Sequence, residues 1–419
     1  MERIVGLTAA TLTGNHGAEA MLSAVIGRLR ERNPDVRFVI FSYYPGADRR
    51  VLTAPDATIV SSTPARLLGA HLPGALIGSL LPRRFRRGSA WMPRDMRLLS
   101  ECSVLVDLAG VAFIDGREKF LPFNILTIAP AMMLGVPVVK AAQASGPFRN
   151  WINRLSARFM LERCAAVHAR GARTYEHLRS LGIANATPAA DVAFLLEEGD
   201  RLVEPDKASV AKVGEEIEAM RREGRRIVGI CPSSVVYGKV GRAYLDAFAD
   251  LVQRIEAAGH GVVLFPNATR ANDRDGLRNN DLPVIRQLVD TLAARGSTNA
   301  RAVVDGDIDA VSIKEIIAGC DVTIVSRFHA MVGSLSLAKP TVVFGWSHKY
   351  AEVMGDFGME QWVFDYTRLE IDEMFPSIAG LILEHESVGA RIAARLSAVR
   401  ASAEVQIAAV QSILDGAAS

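Results

Sequence analysis

The chain has 419 residues, 48 Lys+Arg against 46 Asp+Glu, and is 49% hydrophobic and 22% charged. Domains run to roughly 100–200 residues, so two are expected, and this composition excludes a disordered chain, a coiled coil and a fibrous repeat. A formal net charge of +2 leaves no basic field of the kind that draws nucleic acid.

Short apolar runs alternate with helix-length amphipathic segments. The predicted strands are Arg3–Leu7, Arg37–Phe41, Thr58–Ser61, Val104–Leu108, Pro137–Ala141 and Ala166–Ala169 in the first half. Ile227–Cys231, Gly261–Phe265, Ala302–Val304, Val322–Val325 and Thr341–Phe344 follow in the second. Most are β-branched, flat in pattern and bounded by Gly, Pro or Asp, as suits parallel strands buried on both faces. The predicted helices between them are Ala18–Asn33, Asn124–Leu134, Asn150–Cys164, Thr174–Leu181, Tyr244–Ala258, Pro283–Ala294, Ser312–Ala318 and His329–Leu337. Val192–Leu196, VAFLL, reads as strand-like. Glu370–Ala418 reads as mostly helical, with a break at Pro376 that could let a terminal helix pack back across both domains.

The alternation implies an α/β chain with two doubly wound, Rossmann-like domains. The polar segment LLEEGDRLVEPDKAS marks a boundary near 196–208. Domains are expected over 1–200 and 201–370, with C-terminal helices over 371–419.

Cys102, Cys164, Cys231 and Cys320 are far apart and set in apolar contexts, which reads as four reduced, buried thiols of a cytoplasmic protein. Met1–Ala10 lacks the basic and long apolar regions of a signal peptide. The most apolar stretch, Leu67–Leu81, is shorter than a bilayer span and is followed by Arg83, Arg84, Arg86 and Arg87. Two readings stay open for it. One is peripheral contact with an anionic membrane surface. The other is a loop and helix packed on the domain, with a solvated basic end.

Five places carry chemistry. Thr13–Leu22 follows the first strand and opens the first helix. Gly14 and Gly17 would let backbone approach a ligand, and Asn15 and His16 would add donors. It is neither a dinucleotide fingerprint nor a Walker A loop. Ser326–Ala330, SRFHA, follows the strand Val322–Val325. Arg327 there offers a permanent charged fork and His329 a group that titrates near neutrality. Phe344–Val353 follows the next strand, where Ser347, His348 and Lys349 could receive an anion or simply cap a helix. Gln143–Phe148 reads as a loop holding Ser145 and Gly146 at a sheet edge. Arg170 ends the strand Ala166–Ala169, and Asp191 could orient a neighbour or cap a turn. No metal motif appears, and no metal or cofactor is called for.

These pieces, in this order, resemble the polysaccharide pyruvyl transferase family. The resemblance rests on GNHGAEAML, on QASGPF, and on the run from ARGARTYEHLRSLGI to ADVAFLL. It rests most specifically on SIKEIIAGCDVTIVSRFHAMVGSLSLAKPTVVF with SHKY after it. It implies a GT-B-like fold with two domains facing a cleft, the acceptor on the N-terminal side and the donor on the C-terminal side. The implied activity moves pyruvate from phosphoenolpyruvate onto two sugar hydroxyls of a cell-surface glycan, or its lipid-linked precursor, as a ketal. Arg327 and His329 match the family's donor-binding arginine and catalytic histidine. Arg170 matches its second arginine, and Lys349 a frequently basic position. Gly14, Asn15, Gly17 and Glu19 fall on its N-terminal loop.

The chain departs from the family at Ala18, where an Asp is usual, in DLAGVAFID, where a Gly-rich loop is usual, and at Asn267, where a His is frequent. A glycosyltransferase using a nucleotide sugar is the alternative reading, and a non-catalytic anion-binding scaffold of surface-polymer assembly is the third.

Overall fold

The computed structural model describes residues 3–86, 90–270, 279–297, 302–304, 306, 308–345 and 348–416, with backbone alone for Arg83 and Arg84. They fall into two compact units. Unit 1 comprises Met1–Leu12, Met21–Val203 and Arg400–Ser419, and unit 2 comprises Thr13–Ala20 and Glu204–Val399.

The strands of unit 1 are β1 (Ile4–Thr8), β2 (Arg37–Ser42), β3 (Ala57–Ser61), β4 (Val104–Asp107), β5 (Val111–Ile114), β6 (Val138–Gly146), β7 (Ala166–Ala169) and β8 (Ala186–Pro188). Their order is β3-β2-β1-β4-β6-β7-β8, with β5 paired to β6, and every pairing is parallel. Unit 2 holds β9 (Ile227–Cys231), β10 (Gly261–Leu264), β11 (Ala302–Val303), β12 (Val322–Val325), β13 (Thr341–Gly345) and β14 (Val363–Asp365), in the order β11-β10-β9-β12-β13-β14. Counted from its own first strand, that is the 3-2-1-4-5-6 order of a Rossmann sheet.

The central strands are buried along their whole length: β1, β4, β6, β9, β10, β12 and β13 expose none of their residues. This is why they read as flat apolar runs rather than alternating ones. Helices cover the sheets, and each large aliphatic side chain they bury contributes ~1.5–3 kcal/mol. The four cysteines are buried thiols, and burial pushes those of Cys102, Cys164 and Cys320 up to about 12.

Several expectations are corrected. The strand Pro137–Ala141 continues through Gly146, so Gln143, Ser145 and Gly146 lie in β6 rather than in a loop, held there by pairing with β5 and β7. Val192–Leu195 is a short 3-10 helix capped by Asp191, whose side chain accepts from Ala193 N. The helix Asn124–Leu134 is two pieces, Leu121–Leu126 and Ala129–Met133, each with a proline in its first turn. Pro376 lies inside the helix Ile371–Leu383, and the break falls at Glu384. The final helix, His385–Gly416, belongs to unit 2 up to Val399 and to unit 1 from Arg400. Within unit 1 its Gln406 accepts from Ala142 N at 2.9 Å and donates to Ala190 O at 2.9 Å.

Candidate functional site

In unit 2 the strand order reverses between β9 and β12, and ligands of doubly wound sheets bind at the carboxyl ends of such strands. Ser233 caps the helix Ser234–Val240 after β9, and Arg327 precedes the helix Phe328–Ser336 after β12. The two turns are tied together: Arg327 Nη2 donates to Ser234 Oγ at 2.9 Å. Below them Tyr244 donates to Ser326 Oγ at 2.9 Å and accepts from Ser233 N at 3.0 Å. Burial pushes the Tyr244 phenol up, so it stays protonated as a donor.

Arg327 is gripped by Asp281, a fully buried carboxylate at the start of the helix Leu282–Ala294. Arg327 Nε lies 3.1 Å from Oδ1 and 3.0 Å from Oδ2, and Nη2 lies 2.5 Å from Oδ1. Asp281 also accepts from Ser234 N at 2.8 Å and Asn267 N at 3.2 Å. Burial opposes the charge on Arg327, but the Asp281 carboxylate outweighs it, and the guanidinium pKa ends up raised. The remaining edge, Nη1, reaches Asn279 Oδ1 at 3.4 Å.

His329 occupies the first turn of the helix Phe328–Ser336, half-buried. A Cβ built on Gly17 would lie 2.0 Å from His329 Nδ1, so the glycine is what admits the imidazole. The His329 ring meets the Phe328 ring edge-on, with centroids 5.2 Å apart, and Lys349 Nζ stands 4.6 Å from the Phe328 centroid.

The rest of the Thr13–Ala20 loop is fixed by its neighbours in unit 2. Asn15 Oδ1 accepts from Gly17 N at 3.2 Å. His16 is buried between Glu19 Oε2 and Thr269 Oγ1, each at 2.8 Å. Burial raises the Glu19 pKa against the opposing His16 hydrogen bond. A Cβ on Gly14, at φ +83°, would lie 3.9 Å from Arg270 Nε. The structure therefore brings Gly17 to His329, Lys349 to Phe328 and Gly14 to Arg270, while Glu19 turns to His16. Ser347 lies outside the described residues.

In unit 1 Arg170 follows β7 and is buried. Its Nη1 lies 2.5 Å from Asp191 Oδ2, and its Nη2 donates to Gly110 O at 2.7 Å. Gly110 belongs to the segment between β4 and β5. That segment and Ala9, after β1, line a cavity of about 260 Å³ at the point where this strand order reverses, with Phe113, Phe120 and Phe123 in its wall. Ser145 and Gly146 face elsewhere. His177 Nδ1 donates to Ser145 O at 3.2 Å, and a Cβ on Gly146 would lie 2.5 Å from that same nitrogen.

The sequence alone does not point to Asp281, Arg270 or the cavity. Asp281 stands before Leu-Pro at a helix start, where the pattern reads as an ordinary cap, yet its side chain makes no cap hydrogen bond and turns to Arg327. Nothing in the sequence links it to Arg327, 46 residues away. Among the described residues no group of three or more His, Cys, Asp or Glu side chains is placed to hold a metal, and no helix is long and apolar enough to cross a membrane.

Against known proteins, a family model described as polysaccharide pyruvyl transferase matches residues 15–348. The amylovoran biosynthesis protein AmsJ of Erwinia amylovora is 22% identical over 394 residues, covering 91% of this chain and 92% of that protein. The UDP-GlcNAc 2-epimerase of Neisseria meningitidis, solved with UDP-GlcNAc, superposes with a TM-score of 0.57 at 11% identity, over 98% of this chain and 100% of that one. The trehalose 6-phosphate synthase of Burkholderia multivorans superposes with a TM-score of 0.52 at 12% identity, over 100% and 99%. Identities this low speak for the fold alone: two Rossmann-like units of the GT-B-like kind.

Proposed function

The chain belongs to the polysaccharide pyruvyl transferase family, and from that premise we propose that it moves pyruvate from phosphoenolpyruvate onto two hydroxyls of a sugar as a ketal. That it is a transferase follows from the family; donor, ketal and residue roles are the proposal. The observation that carries it is the turn after β12. His329, seated on Gly17, shares that turn with Arg327, and its neighbour Phe328 carries Lys349 Nζ 4.6 Å from its ring centroid.

Phosphoenolpyruvate bears a carboxylate and a phosphate, and its site needs positive charge that cannot be lost. Asp281 holds Arg327 by Nε and Nη2, and we assign Nη1, whose contact is the longer one of 3.4 Å to Asn279 Oδ1, to the donor, with Lys349 supplying a second cation. An imidazole can both give and take a proton, and His329 is assigned as the acid that protonates the donor's methylene carbon. A sugar hydroxyl then bonds to the cationic carbon that results. The C–O bond to phosphate breaks, and the second hydroxyl closes the ketal. Of the two hydroxyl protons, one restores His329 and the other leaves on hydrogen phosphate. The acceptor is a glycan or its lipid-linked precursor, and we assign its sugar to the aromatic-walled cavity of unit 1.

Phosphoenolpyruvate should raise Tm, and Arg327→Ala should abolish the shift. His329→Ala should keep the shift and lose roughly 10²–10⁴ in kcat. Turnover near the parent's would remove His329 from the chemistry, and an unshifted Tm for the parent chain would remove the donor.

A further inference from the structure

The helix Leu72–Leu80 in unit 1 is inside out. Its buried positions are Gly74, Ala75 and Gly78. A Cβ on Gly74 would lie 2.7 Å from Pro93 Cδ, and one on Gly78 would lie 2.6 Å from Leu134 Cδ2. Small residues thus let the backbone close on the protein, while the bulky ones point outward: Leu80 is 85% exposed and Leu76 52%. A helix facing water places them the other way round.

The helix Trp151–Leu161 has the same character. It buries Ala157, Met160 and Leu161, and turns Trp151, Ile152, Leu155 and Phe159 outward, with Trp151 69% and Leu155 63% exposed. Trp151, Leu155 and Phe159 recur every four residues and so share one helix face. Trp91, 81% exposed, adds a second indole in unit 1. The two helices belong to one layer. Leu72–Leu80 packs on Ala129–Met133, which packs on Leu121–Leu126, which packs on Trp151–Leu161, and Ala75 and Ala157 share one hydrophobic cluster.

The sequence of these segments is rich in arginine, with Asp95 following the first segment and Asp115 accepting from Arg149 N at 2.6 Å beside the second. Residues 64–94 contain six arginines and no Asp or Glu, and residues 149–163 contain four arginines and the single acid Glu162. Arg86 turns inward to Leu134 O, Arg66 pairs with Asp95 and Arg158 with Glu162, but Arg94 and Arg154 are exposed, and Arg163 lies over the Phe159 ring at 3.8 Å.

We propose that this face of unit 1 docks on an anionic lipid bilayer. Outward leucines enter the acyl boundary, tryptophans suit the interfacial level, and arginines meet the headgroups. A two-fold contact with a second copy would instead bring together two faces with the same arginine excess. The inference goes beyond the transfer reaction, and its test reads binding rather than turnover, so it stands or falls apart from the donor assignment.

The test is flotation of the full chain with phosphatidylcholine vesicles, with and without phosphatidylglycerol. Binding should need the anionic lipid, weaken with salt, and fall on the order of tenfold or more in Leu80→Glu and in Leu155→Glu, at unchanged Tm. Trp151→Ser serves as a third variant should either of those fail to fold. Equal binding to neutral vesicles, no binding at all, or variants that float like the parent would overturn the proposal. So would a dimer in solution that Leu80→Glu dissociates, because the face would then belong to a second copy.

Discussion

Asp281 holds Arg327 by two of its three guanidinium nitrogens, with Nε 3.0 Å from Oδ2 and Nη2 2.5 Å from Oδ1. Arg170 in unit 1 is likewise held by a buried aspartate, Asp191, at 2.5 Å. In both pairs the arginine follows a parallel strand and the aspartate stands at a helix start. The carboxylate fixes the direction of the fork and cancels most of its field, so the charge left for a ligand is local to the edge that the carboxylate does not hold.

Asp281→Asn keeps the shape of that contact and removes its charge. A buried guanidinium is then left without its counterion, which costs about 3–5 kcal/mol. Denaturant unfolding followed by a probe in unit 2 should show that loss. A change below about 1 kcal/mol would mean that the pair is solvated well enough not to matter.

Gly17→Ala tests the seat of His329. The new Cβ would lie 2.0 Å from Nδ1 and 2.7 Å from the histidine Cβ, so the whole ring must move and not only its tip. A displacement of about 1 Å at a catalytic group costs on the order of 10²-fold. The expected result is a fall of that size in kcat, with the phosphoenolpyruvate-induced Tm shift retained. Unchanged kcat would show that the position of His329 is not critical.

The fold was legible where burial is uniform. β7, β9 and β12 carry the bounds expected from their apolar runs, because strands covered on both faces leave continuous hydrophobic signals. β8 and β14 are three residues each at sheet edges, too short to show a period, and β5 follows Gly110 in a segment that looks like a loop. Pro376 does not break its helix because it lies on an exposed face, where water can take the carbonyl that the proline leaves unbonded. In the site, Arg327 and His329 are visible because strand and turn are contiguous. Asp281 and the seat on Gly17 arise from residues far apart in sequence, which no local pattern encodes.

Phe123→Ala tests the cavity of unit 1. Phe123 lines it and meets the Tyr43 ring edge-on, with centroids 5.9 Å apart. Removing an apolar wall that contacts ground state and transition state alike raises KM and leaves kcat nearly unchanged. Steady-state kinetics with a sugar acceptor should show that split, with the donor Tm shift unaltered. A fall in kcat at constant KM would place Phe123 in the chemical step instead.

His168 sets a pH window for stability. It lies in β7, buried, with Nδ1 2.9 Å from Thr187 Oγ1, and burial lowers its pKa to about 4. An unfolded histidine titrates near ~6.5. Between those values the unfolded chain binds the proton and the folded chain does not, so stability rises with pH. The contribution is complete above about 6.5 and is lost as the pH falls toward 4. His168→Gln cannot take up that proton, so its denaturant midpoint should fall less steeply than the parent's over the same range. Parallel pH profiles for the two proteins would show that His168 is protonated in the folded chain and that its burial does not shape the acid limit.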